Sequence, residues 1–153
     1  MNKQTTIKQL SILHKALLLG QIMFAAIVFF LIYTNRVNFN LVDLDQVFQL
    51  IALGLSAAGV FIGSSLFKKK MQQARETLTD VKAKAEAYRS VSIIQWALIE
   101  APSLFSIVCF MLVGNYAFLA LAVALMFWFA LTGPSKMKIM LLLGLSEADM
   151  ENF

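Results

Sequence analysis

Residues 90–135, "SVSIIQWALIEAPSLFSIVCFMLVGNYAFLALAVALMFWFALTGPS", are apolar almost throughout and carry a single charge, Glu100. A helix needs about 20 residues to cross ~30 Å of hydrocarbon, so this run is long enough for two crossings. Gly114 and Asn115 form the one pair in "FMLVGNYAF" that suits a tight turn, and they divide the run into spans at about 90–113 and 116–132. Two further uncharged stretches lie upstream, giving spans at about 15–34 and 46–67. The sequence therefore predicts an all-α fold: a four-helix integral membrane bundle forming one domain over 1–153.

Composition points the same way. Hydrophobic residues make up 59% of the chain and charged residues 14%, and mean hydropathy is +0.74. Soluble domains lie nearer about 45–50% and 25%, and could not hide this much apolar surface. Of the 13 Lys and Arg, alternate assignment of the loops places all but Arg36 on one side. The positive-inside rule makes that side cytoplasmic and predicts a multi-pass protein of the cell (inner) membrane with both termini in the cytoplasm. The net charge of +4 then reflects topology and anionic lipid, and no nucleic-acid partner is expected. Lys3, Lys8 and Lys15 precede the first span like a secretory signal, but no small-residue cleavage pattern follows in "LIYTNRVNFN", so that span is expected to be retained.

The basic segment 68–89 contains no Gly or Pro and is rich in helix formers. Met71, Ala74, Leu78, Val81, Ala85 and Tyr88 recur at spacings of three and four, which predicts helix with an amphipathic face. A turn near Thr77 to Asp80, with Thr79 or Asp80 capping the next helix, would make this segment a cytoplasmic helical hairpin extending spans two and three. A helix lying flat on the membrane is the alternative. Gly133 and Pro134 end the fourth span. The tail 133–153 opens with an apolar run too short to cross again, expected at the interface, and Ser146 with Asp149 offers a capping pair.

Glu100 is the candidate for chemistry. Counted from Arg89 it lies roughly 16 Å along the helix, near the bilayer midplane, where ionisable groups are costly and usually functional. No basic residue in any span can neutralise it, so desolvation favours the protonated form and the group can exchange a proton or bind a cation. On a helical wheel Ser92, Gln95, Ser103 and Ser106 form a polar stripe beside it. Pro102 removes the backbone donor that would bond the Leu98 carbonyl. Span two offers a small face of Ala52, Ser56, Gly59 and Gly63, including the GxxxG of Gly59 and Gly63, for close helix packing. Ser56 is expected at the depth of Glu100, and the two to be in contact. Gln21 and Gln95 stand at equal offsets past Lys15 and Arg89, which predicts an amide pair across spans one and three. The structural reading beside this is that Glu100 is protonated, hydrogen-bonded and only fixes helix register.

The remaining reactive types imply less. Cys109 lies inside an apolar span and can form no internal disulfide. His14 is expected on the surface, since a lone His gives no metal site. Trp96, Trp128 and Tyr116 are expected to pack or lie at the interface. There is no nucleophile–base pair, metal-ligand cluster or phosphate loop, so neither enzymatic activity nor a cofactor is expected.

In the hairpin of spans two and three, "LGLSAAGVFIGSS" is joined through a polar loop to "WALIEAPSLFSIVCFML". That pairing resembles the proteolipid, or c subunit, of rotary ATPases over about residues 46–113. The resemblance implies a ring-forming subunit in which Glu100 is alternately protonated and released. The family's dense alternating glycines and its loop Arg-Gln-Pro cluster are not present. Two functions follow as expectations: a proton- or cation-handling subunit using Glu100, or a non-catalytic accessory or scaffold subunit. Either implies the lipid bilayer as surroundings and a homo-oligomer or other membrane subunits as partners.

Overall fold

A computed structural model of the chain describes residues 5–36 and 41–150; Lys3, counted above in the N-terminal charge cluster, lies outside them. All regular structure among the described residues is helical: α1 (Thr5–Tyr33), a short 3-10 turn (Val42–Leu44), α2 (Asp45–Thr77), α3 (Val81–Val113), α4 (Tyr116–Leu131), α5 (Lys136–Leu143) and α6 (Glu147–Met150). Helix α3 is central and packs against α1, α2 and α4.

Three helices, α1, α2 and α3, are long and apolar enough to cross a membrane. Helix α4 joins them only together with α5, from which it is bent by 71° at the break around Gly133 and Pro134. Helix α1 begins at Thr5, well before the expected start near 15, because Lys8 and Lys15 lie on its exposed side and leave the inner side free to pack.

The turns follow local chemistry. Asp80 accepts from the Ala83 amide at 3.4 Å and starts α3, so α2 and α3 form an antiparallel hairpin that turns at residues 78–80. Gly114 ends α3 in the left-handed region (φ 76°), which a residue without Cβ adopts freely. Asn115 then caps α4 through the Ala117 amide at 3.0 Å, and its side-chain amide donates to both Asp45 oxygens at 3.0 and 3.1 Å. One turn residue thereby ties the start of α2 to the start of α4.

The tail is packed on the hairpin. Helix α5 folds back against α2, burying Ile139, Leu143 and Leu145 among Leu10, Met71, Ala74, Ala85 and Tyr88. Lys84 is buried and its Nζ donates to the Leu143 carbonyl at 3.0 Å, a cation at the negative end of α5. Ser146 and Asp149 cap α6 reciprocally.

Apolar packing falls into two clusters. One, at the end carrying the basic hairpin, includes Leu10, Met71, Tyr88, Trp96, Ile99 and Phe129. The other, at the opposite end, includes Ala25, Val28, Ile107, Phe110, Phe118 and Ala122. Large apolar side chains cover the outside too, among them Phe30, Leu50, Phe61 and Phe127, while Gln21, Ser56, Ser103 and Ser106 are buried. The exposed apolar surface is more than a water-soluble domain usually shows.

Candidate functional site

The register of α1 against α3 decides what surrounds Glu100. The His14 ring lies 4.9 Å from Trp96, centroid to centroid, and Phe29 lies 6.5 Å from Tyr116, which is itself 5.2 Å from Phe110. The two helices therefore run parallel, with His14 level with Trp96 and Phe29 near Phe110. Gln21 then stands level with Ser103, and Lys15 with Ala97.

This register overturns the equal-depth pairing of Gln21 with Gln95. Both amide atoms of Gln21 are buried without a hydrogen-bond partner among the described residues. Gln95 instead turns its Cγ and carbonyl toward Gly63 of α2. Counting inward from Lys15 and Arg89 failed because α3 continues about eight residues, or ~12 Å, beyond the level at which α1 turns basic. The same register corrects the depth of Glu100. Trp96 Nε1 donates to the Thr132 carbonyl at 3.4 Å, so α4 also ends level with Trp96. Glu100 thus lies about one turn, ~5 Å, inside the level where α1 and α4 become polar, rather than halfway along the bundle.

The small face of α2 is buried as the sequence indicates: Ala52, Ser56, Gly59 and Gly63 all face the protein. Its partner surface on α3 is the strip of Gln95, Leu98 and Pro102. Positions 98 and 102 are both about 160° around the helix from position 100, so Glu100 projects from the side of α3 away from α2. The expected Ser56–Glu100 contact is therefore absent. Ser56 Oγ donates to the Ala52 carbonyl at 2.6 Å, and Ser106 Oγ likewise to the Pro102 carbonyl at 2.8 Å, each closing on its own helix. Pro102 is buried, and the Leu98 carbonyl that it leaves without its helical donor is the atom against which Gly59 packs.

Glu100 itself is half-buried at the rim of the seam between α1 and α3, next to buried Trp96 and Ser103 and exposed Ala97. It has no hydrogen-bond or ion-pair partner among the described residues. Ser103 is fully buried and its Oγ is unpartnered, like the Gln21 amide on the facing helix at the same level. Buried polar atoms without partners are uncommon and mark positions where a proton, a water or an ion finds donors and acceptors ready. These three residues fall where the two apolar clusters meet, between Ile99 and Ile107 on α3 and between Leu10 and Ala25 on α1. No family model, curated protein or solved structure matches the chain.

Two residues of the surrounding packing escaped the sequence reading. His14 is buried rather than on the surface. Its Nε2 lies 3.0 Å from the Phe129 carbonyl, its ring stacks on Phe129 at 4.5 Å, and it packs against Gly133. Leu10, His14, Gln21, Ala25 and Val28 form the continuous inner face of α1, a periodicity visible only once the helix is carried back past Lys15. Lys84, one of the basic residues counted toward the cytoplasmic side, is buried as well, beside Ala85 and a turn from Tyr88 on the packed side of the hairpin.

Proposed function

We propose that the chain is a four-span integral membrane protein, with both ends and the α2–α3 hairpin cytoplasmic, in which Glu100 takes up and releases a proton from the cytoplasmic side. The membrane reading is supported by the large apolar side chains on the outer surface and by the placement of every described Lys and Arg but Arg36 at one end. The α4–α5 pair supplies the fourth crossing in this reading, with α5 turned along the interface.

The observation that carries the functional reading is the run from Glu100 to Ser103 and Gln21. A partnerless carboxyl opens at the rim of a seam one turn inside the polar boundary, and unpartnered donors and acceptors continue inward from it. Such a group exchanges protons with water on its near side, and the deeper groups can receive them. A cation would meet the same oxygen donors. Because the carboxyl reaches the outer surface of the bundle, a second subunit covering the α1–α3 seam completes the site. A ring of the rotary-ATPase kind is one assembly that would supply such a neighbour.

The same outward placement favours a second reading, an accessory subunit whose Glu100 is a docking group for another membrane protein. One experiment separates the two. Wild-type and Glu100→Gln protein are reconstituted in liposomes with an internal pH dye, and the partners retained from native membranes are compared. Loss of proton flux with partners kept supports proton handling. Partners lost with no flux in either protein supports docking, and flux unchanged in Glu100→Gln overturns the proton reading.

A further inference from the structure

Helices α2 and α4 both pack on α3, α2 through its Ala52–Ser56–Gly59–Gly63 face, but touch each other at few points. A groove of about 500 Å³ is left between them. Ala57, Phe61, Leu125 and Trp128 form its apolar walls, and Ser64, Ser65 and Lys68 its polar mouth. Its volume falls within the roughly 300–1,000 Å³ of small-ligand sites.

The groove is graded along its length. From Ala57 to Gly63, which packs at the level of Gln95 and Leu98 near the polar boundary, is about 9 Å of helical rise, and Ser64 to Lys68 continue about 7 Å past it, the level of lipid headgroups in the membrane reading. Hydroxyls and an ammonium stand together at the end from which Lys69 and Lys70 continue, and no Asp or Glu lines the groove. The apolar end accommodates a hydrocarbon chain. The mouth offers one fixed positive charge and two hydroxyl donors, the set that meets a phosphodiester.

We infer that this groove binds one anionic phospholipid of the cytoplasmic leaflet, its phosphate held by Lys68, Ser64 and Ser65 and one acyl chain lying between Phe61 and Trp128. The inference rests on the four-span membrane reading and is independent of the role of Glu100. Anionic lipid is favoured over zwitterionic because a surface lysine contributes attraction to the anionic leaflet, and Lys68 is backed by two more.

The test uses the full chain in neutral detergent, offered phosphatidylglycerol and phosphatidylcholine with identical acyl chains and examined by native mass spectrometry. One phosphatidylglycerol per chain should be retained with a preference of roughly fivefold or more. Lys68→Ala should bring the two lipids near parity, Ala57→Trp should exclude both, and Lys82→Ala, on the hairpin away from the groove, should leave the preference intact. Equal retention by the wild type, or a preference that survives Lys68→Ala and Ala57→Trp, overturns the site. A second copy filling the groove instead, detected as a disulfide dimer through Ala57→Cys that excludes lipid, overturns it also. A chain recovered in aqueous buffer without detergent would overturn the membrane reading itself and the lipid site with it.

Discussion

The backbone carbonyl oxygen of Leu98 occupies the space that a Cβ on Gly59 would need. This contact sets the distance between α2 and α3, and Pro102 lies within the same contact, 3.3 Å from that Cβ position. Gly59→Ala should therefore force the helices apart and cost about 1–3 kcal/mol, the usual range for overpacking. Gly63→Ala meets nothing nearer than 3.5 Å, and Gly54→Ala meets nothing within 4 Å. Both should be neutral to stabilising, by up to about 1 kcal/mol, the helix-propensity gain of Ala over Gly. Unfolding of the three variants in mixed micelles measures the contrast, and equal losses at Gly59 and Gly63 would remove the special role of the Leu98 carbonyl.

Much of the fold was legible in the chain because the signals were local. The helix-forming segment 68–89, the Asp80 cap and the Gly114–Asn115 break each act within a few residues of where they are read. What escaped depended on how whole helices slide past one another. Lys8 and Lys15 looked like the end of a span, yet a lysine on the outer side of α1 leaves Leu10 and His14 free to pack inside. The helical wheel sets Ser103 beside Glu100. It could not tell which side of α3 would meet α2, because that choice is made by Gly59 and Gly63 docking on Leu98 and Gln95.

His14 joins three helices through one ring. His14→Phe keeps the stack on Phe129 but loses the 3.0 Å contact to the Phe129 carbonyl, an expected loss of about 1 kcal/mol. His14→Ala removes the aromatic pairing as well, adding about 0.5–1.5 kcal/mol. Thermal unfolding followed by Trp96 fluorescence reads both, since that indole lies 4.9 Å from the His14 ring.

Asn115 serves the α4 cap and the Asp45 carboxylate together. Asn115→Ala should cost about 0.5–2 kcal/mol as a lost cap. A double-mutant cycle with Asp45→Ala should return a coupling of at least about 0.5 kcal/mol. Strictly additive losses would mean that the link between α2 and α4 contributes nothing to stability.

The Asp149 carboxyl is held below the ordinary carboxylate range, first by the Ser146 hydroxyl, then by the Ser146 backbone amide, with Lys84 adding a smaller pull. A lowered native value means that the cap's contribution is present at neutral pH and fades as pH falls through that value. Helix α6 should therefore fray below about pH 3.8, the unperturbed value, while α1 to α4 stay intact. Amide exchange at Ser146 checks this, and Ser146→Ala should move the transition to higher pH.

If Glu100 is mostly protonated at neutral pH, infrared spectra of the reconstituted protein should show a carboxylic C=O band that disappears in Glu100→Gln. Ser103→Ala, which removes the hydroxyl with little change in volume, should shift that band if the two side chains share a proton or a water. A spectrum with only carboxylate bands at pH 7 would contradict the protonated state.

The docking of α5 also has a temporal side. The hairpin surface of Met71, Ala74, Ala85 and Tyr88 is complete once α3 has been made, but its cover of Ile139, Leu143 and Leu145 is encoded after α4. During synthesis that surface stays uncovered until α4 and α5 have been made and α5 has doubled back. The hairpin surface is therefore open to chaperone capture until then, and the Lys84 contact to the Leu143 carbonyl forms only once α5 has docked.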